Sequence, residues 1–307
     1  MKKVIALLLI VLFLMSSLSP IINSIENQES NTIYVDDDNI SGPWDGTIEH
    51  PFQYIQDGVD NASDGDTIWV LDGVYKGNIV VNRTLSIAGN GFCCTVIDGM
   101  GRRDDVVSII ADGVELKGFT IRNSSKVGVH LFSSYNVIQD NEIINNSQGL
   151  ILSSSHDNII SGNNISNNSG DGIYLKYSNN NDIIGNSINY NIAYGIELWI
   201  SSYNCIADNN ISYNNPTGYY YAGISLFDHS NSNNISRNNF IKNKVSQAGF
   251  SNSIFNHWNN NYWDDWSGIG PKIIWGIFPR KLIFIPWINF DWHPSSEPID
   301  IDGDEIR

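Results

Sequence analysis

Two series of side chains with chemistry to offer recur through the middle of the sequence at intervals of 21, 23, 23 and 28 residues. One reads His130, Ile151, Tyr174, Glu197 and Ser225; the other, two residues later each time, reads Phe132, Ser153, Lys176, Trp199 and Phe227. Aromatic rings interleaved with a carboxylate and an ammonium suit sugars: ring faces stack on the apolar faces of pyranoses, and the charged groups take hydroxyls. Between the last two members, Asn214 to Gly223 forms a connection five residues longer than its counterparts and holds Tyr219, Tyr220 and Tyr221. Insertions of this kind line the binding face of many repeat proteins. The carbohydrate-binding candidates are therefore Phe132, Tyr174, Lys176, Glu197, Trp199, Tyr219, Tyr220, Tyr221 and Phe227. The competing expectation is that the C-terminal tail folds back over these rings.

Metal chemistry has thinner support. The six histidines, His50, His130, His156, His229, His257 and His293, are spread singly and read as surface residues. Copper favours Met, Cys and His, yet Met100 is solitary and Met15 lies in an N-terminal apolar run. Asp300, Asp302 and Asp304 around Gly303 place oxygens at alternating positions, like half a calcium loop. No glutamate closes that loop at the required spacing, so calcium is a weak expectation, no other cofactor is indicated, and the stretch reads as a solvated acidic tail.

The elements that must position the two series are visible as a repeat. One unit reads Gly-apolar-x-Leu, a polar turn, then Asn-x-Ile-x-x-Asn-x-Ile-x-x-Asn, and it begins at Gly128, Gly149, Gly172, Gly195 and Gly223. Leu131, Leu152, Leu175, Leu198 and Leu226 form one apolar column. Ile138, Ile160, Ile183, Ile206 and Ile235 form a second, and Ile143, Ile165, Ile188, Ile211 and Phe240 a third. Apolar positions alternate over only a few residues before each polar corner, which selects short strands and excludes a helix of 3.6 period. Three short strands per unit wind one rung of a solenoid. Asn belongs at the corners because it tolerates the left-handed conformation and its amide can bond the Asn above.

The expected fold is therefore all-β: a right-handed, single-stranded parallel β-helix with caps at both ends. Residues 1-24 have the layout of a signal peptide or N-terminal anchor, Lys2 and Lys3 preceding an apolar run from Val4. Residues 32-127 hold the N-terminal cap and irregular first coils, including a short helix within 50-63. Residues 128-249 are the regular Asn-rich coils, 250-295 a Trp-rich C-terminal cap with a hairpin around Pro279, and 296-307 the acidic tail. The leader implies a secreted, extracellular or cell-surface protein, touching a membrane only through that segment if uncleaved. A net charge of -16 speaks against nucleic acid and, absent a bridging cation, against polyuronates. Three cysteines make no disulfide framework. Nine N-x-S/T sequons, such as Asn123 and Asn210, are glycan acceptors in an exported chain, though an Asn-rich repeat generates several by itself.

The stretches Ile33 to Asn39, Gly46 to Asn61 and Gly65 to Tyr75 resemble the N-terminal part of pectin-lyase-like parallel β-helix proteins. The coils from Gly128 resemble the carbohydrate-binding and sugar-hydrolase β-helix group, which includes the periplasmic copper-binding protein of nitrous oxide reductase maturation. The tail Asn260 to Asp265 is similar to tails in archaeal surface proteins of that group. The resemblance implies the fold and leaves activity open. Of the polygalacturonase signature only the pair Asp104-Asp105 is present, and after Arg102 and Arg103 it reads as a solvated turn. The pectin methylesterase likeness stops at Asp72 to Tyr75, and an arginine base of the pectate lyase kind has no candidate between residues 127 and 236. The leading expectation is a non-catalytic exported protein that binds glycans or builds a surface assembly. The alternatives are a polysaccharide lyase, epimerase or hydrolase, which requires two carboxylates close together on an exposed groove, and a copper-handling protein.

Overall fold

The computed structural model describes residues 30–216, 222–280 and 283–301, and everything below concerns the compact unit that begins at Thr32. That unit is a parallel β-solenoid. Its strands stack into three parallel ladders, one along each flank, with nine successive strands on the third.

The apolar columns face inward in register. Leu131, Leu152, Leu175, Leu198, Leu226 and Phe250 align along the first flank. Ile138, Ile160, Ile183, Ile206, Ile235 and Trp258 align along the second, and Ile143, Ile165, Ile188, Ile211, Phe240 and Trp263 along the third. All are buried. The last member of each column lies beyond residue 249, where the repeat was expected to end. One more coil follows, because Phe250, Trp258 and Trp263 fill the same interior with larger rings and the sequence no longer looks periodic.

The corners are held by asparagine chains. Asn141, Asn163, Asn186, Asn209, Asn238 and Asn261 form one, each Nδ2 donating to the Oδ1 of the next coil's Asn at 2.9–3.1 Å. Each Oδ1 also accepts the preceding coil's backbone N–H, as Asn186 does from Asn163 at 3.0 Å. Buried amides are costly unless bonded, and here each has partners on both sides. The ladder asparagines do not themselves take the left-handed conformation that the sequence reading gave them. The residue just before each one does: Tyr135, Asp140, Asn145, Asp157, Asn167, Tyr190 and Tyr203 all have positive φ. A serine chain through Ser155, Ser178, Ser201, Ser230 and Ser253 adds another ladder, Ser178 Oγ accepting Ser155 N–H at 3.1 Å.

Glycines mark where coils approach closest. A Cβ on Gly172 would stand 2.6 Å from Ile188 Cγ2 and 2.7 Å from the Gly195 carbonyl, so no side chain fits.

Both ends are covered. The helix Ile55–Asn61 buries Ile55, Gly58 and Val59 at the first coils. At the other end, Lys272–Arg280 and Ile283–Asp291 form an antiparallel hairpin that continues the first ladder at Phe250↔Gly276 and the second at Trp258↔Asp291. The chain then turns back along the third flank, where Asn239 holds the Ile299 backbone by two bonds of 2.8 Å. The described part of the acidic tail is therefore docked by that pair, and it lies away from the first flank. No helix among the described residues is long and apolar enough to cross a membrane; the leader, residues 1-24, lies outside them.

Candidate functional site

The first ladder's outward face carries the two series in register: Ile151, Tyr174, Glu197 and Ser225 in an inner lane, and Ser153, Lys176, Trp199 and Phe227 in an outer one. Strand alternation makes this unavoidable, since Leu175 and Leu198 point inward between them. Phe132 and Trp199 are exposed, at 48% and 37%, and Tyr174, Lys176, Glu197 and Phe227 are partly so. The Lys176 ammonium lies 5.6 Å from the centre of the Trp199 ring, a cation–π contact that fixes both. Tyr194 meets Phe227 edge-on at 5.7 Å. Tyr219, Tyr220 and Tyr221 lie outside the described residues, as do Asp302 and Asp304.

Sequence reasoning missed the partner of Glu197. Asp171 stands at the corner just before Gly172, is 7% exposed, and its carboxyl is hydrogen-bonded to that of Glu197 on the next coil. Its Oδ1 also accepts the Tyr194 N–H at 3.0 Å, and its own N–H donates to Gln148 Oε1 at 2.7 Å. Burial is the main force on the pair. It pushes Asp171 up to about 6, against the pull of its hydrogen bonds, and Glu197 up to about 8, reinforced by the Asp171 charge. Two carboxylates in contact cannot both ionise cheaply, so the pair keeps one proton near neutrality. Burial beside these acids also raises the Tyr174 phenol. The signal available in the sequence was Asp171's place one residue before a column glycine, a column never read.

His130 is a correction: it is buried, at 8%, with Nδ1 2.9 Å from Asp105 Oδ2 and Nε2 2.9 Å from Ser153 Oγ. Asp105 is likewise no solvated turn residue but 6% exposed. The tryptophans of the C-terminal region divide: Trp258 and Trp263 are core, whereas Trp275, Trp287 and Trp292 are exposed on and after the hairpin. A corner cleft lined by Met100, Asn123, Asn145 and Ser147 has no ionisable side chain and offers neither acid nor base.

The sequence profile of a family described as periplasmic copper-binding protein (NosD) matches residues 59–268. Among solved structures, pectate lyase Pel9A superposes with a TM-score of 0.59 at 16% identity, over 81% of this chain and 74% of that one. The alginate lyase from Paenibacillus sp. str. FPU-7 gives 0.56 at 17%, over 74% and 95%, and pectin methylesterase from carrot 0.50 at 12%, over 76% and 84%. At such identities the likeness is one of fold. No curated protein matches the chain. Copper fits the described residues poorly. Among the described residues no group of three or more His, Cys, Asp or Glu converges, Met100 is half-exposed and alone, and His130 is committed to Asp105 and Ser153. With its profile match running through the Asn-ladder coils, the chain belongs to the NosD family of periplasmic β-helix proteins.

Proposed function

We propose that the protein is exported and binds a neutral polysaccharide along the first flank, without cutting its glycosidic bonds. The observation that carries this reading is the contact between Asp171 and Glu197 beside Tyr174, Lys176 and Trp199. Two-carboxyl glycosidases hold their acids about 5–5.5 Å apart when retaining and about 6.5–9.5 Å apart when inverting. Carboxyls in direct hydrogen bonding leave no room for an anomeric carbon or a water between them. They do present a donor and acceptors to sugar hydroxyls, next to a ring for stacking. The acidic surface disfavours polyuronates and leaves neutral glycans as the class. Export rests on the N-terminal sequence and on the periplasmic family.

Affinity electrophoresis of the purified protein through gels containing neutral and acidic polysaccharides tests this. Retardation by a neutral polymer, about tenfold weaker in Trp199→Ala, is expected from the loss of one stacked ring. Retardation that persists unchanged in a Tyr174→Ala, Trp199→Ala double variant would overturn it.

A further inference from the structure

Asp105, His130 and Ser153 belong to three successive coils, and they meet in the order of acid, imidazole and hydroxyl. Asp105 lies just before the strand Val107–Ile109, His130 in Val127–Leu131, and Ser153 at the end of Gln148–Ser153. Asp105 Oδ2 is 2.9 Å from His130 Nδ1, and His130 Nε2 is 2.9 Å from Ser153 Oγ. The Lys126 ammonium stands 3.1 Å from the other Asp105 oxygen. Burial works to raise Asp105, but its bonds from His130 and Lys126 outweigh that and hold it low, as a carboxylate. A carboxylate only accepts, so in the neutral imidazole Nδ1 carries the proton and Nε2 turns its lone pair on the Ser153 hydroxyl. The imidazole lies against Phe132, ring centres 3.8 Å apart, while Ser153 is partly open to solvent.

The repeat supplies its own control. Where Asp105 stands, other coils have Val127, Gln148, Asp171 and Tyr194; where His130 stands, they have Ile151, Tyr174 and Glu197; where Ser153 stands, Lys176, Trp199 and Phe227. The coil closes without any of the three residues, so the scaffold does not demand them. A hydroxyl bonded to a base that is itself oriented by a buried acid is the arrangement that makes serine a nucleophile.

We propose that Ser153, with His130 as base and Asp105 as its positioning residue, hydrolyses acyl esters, and that the natural substrate is an O-acylated glycan. Ser153 Oγ attacks the ester carbonyl while His130 Nε2 takes its proton. The carbonyl–alkoxy bond then breaks, and His130 returns the proton to the departing sugar hydroxyl. Water, deprotonated by His130, attacks the acyl-serine and releases the carboxylic acid with Ser153 restored. Lys176 is the neighbour of Ser153 on the next coil, a cation in the lane where a developing oxyanion requires positive charge. Trp199 is two coils from Ser153 in the same lane, about 10 Å at strand spacing, so a glycan stacked there reaches the hydroxyl with an acyl group further along.

Only the choice of substrate rests on the glycan-binding reading, so the chemistry is tested without glycan. A fluorophosphonate probe should label the full-length protein at Ser153, as mapped by peptide mass spectrometry. The protein should also hydrolyse p-nitrophenyl acetate with a rate that rises as an imidazole loses its proton. Ser153→Ala should lose all labelling while melting with the parent. His130→Gln should lower hydrolysis by roughly 100-fold or more, and Asp105→Asn should lower it with a changed pH profile. An unlabelled parent, or labelling that survives in Ser153→Ala, overturns the proposal. Glycan retention by Ser153→Ala, measured separately, distinguishes this failure from failure of the binding reading.

Discussion

The corners of the solenoid and its first outer face are built from the same coils and obey opposite rules. At a corner every coil repeats the same Asn, whose neighbours above and below are copies of itself. On the face no two neighbouring coils agree: His130 is followed by Ile151, Tyr174 and Glu197. Repetition serves stacking, because each identical amide satisfies the next, whereas a binding or reacting site needs unlike groups side by side. Invariance across coils therefore locates scaffold, and variation locates function.

The sharpest way to break this comparison is at a ladder. Asn186→Ala removes the acceptor of Asn163 N–H and Nδ2 and the donor to Asn209 and Ile160. It should cost about 3–5 kcal/mol, read as a lower midpoint in urea unfolding. Asp291→Ala comes next. It strips the acceptor from Asn261 N–H, Asn261 Nδ2 and Trp263 Nε1, and should cost about 2–3 kcal/mol. A loss as small as that of a surface substitution in either variant would contradict the scaffold role.

Face substitutions should spare the fold. The folded chain keeps a proton on Glu197 up to about pH 8, whereas an unfolded Glu releases it near 4.5. Between those values the folded state binds more protons, so the pair's contribution to stability is complete below about 4.5 and is lost as pH rises toward 8. Glu197→Gln should flatten that fall and be the more stable protein at pH 8, as thermal melts across pH would show. An unchanged pH slope would mean the pair shares no proton. Trp199→Ala should shift stability by no more than about 0.5 kcal/mol while weakening glycan retention.

The repeat made the fold legible because a solenoid writes one spatial contact into many sequence copies: three apolar columns at one period leave one winding. The two lanes were legible by the same alternation, and so were Trp199 and Lys176 within them. The pairing of Glu197 with Asp171 was not, because the column that runs Asp105, Val127, Gln148, Asp171 and Tyr194 keeps no property from one coil to the next. His130 looked solitary because its partners lie 25 residues before it and 23 after it, a distance that only the winding closes. The last coil escaped notice because Trp258 and Trp263 stand where Ile stood before.

The asparagine chains also have a direction. Most amides in them accept from the coil before and donate to the coil after, as Asn158, Asn181 and Asn204 do, so their dipoles add along the axis and mutually strengthen. The donating end reaches Asp291 through Asn261, and in the chain that runs Asn146, Asn168, Asn191, Asn214 and Asn243 the last member hands on to Gln247, which donates to Asp264. An acidic side chain at that end accepts what the chain donates, as an anion does at a helix N-terminus. The relay stops there. Asp291 is itself fully buried, so the ladder it closes ends inside the molecule and leaves no row of unmet amide donors at an open edge.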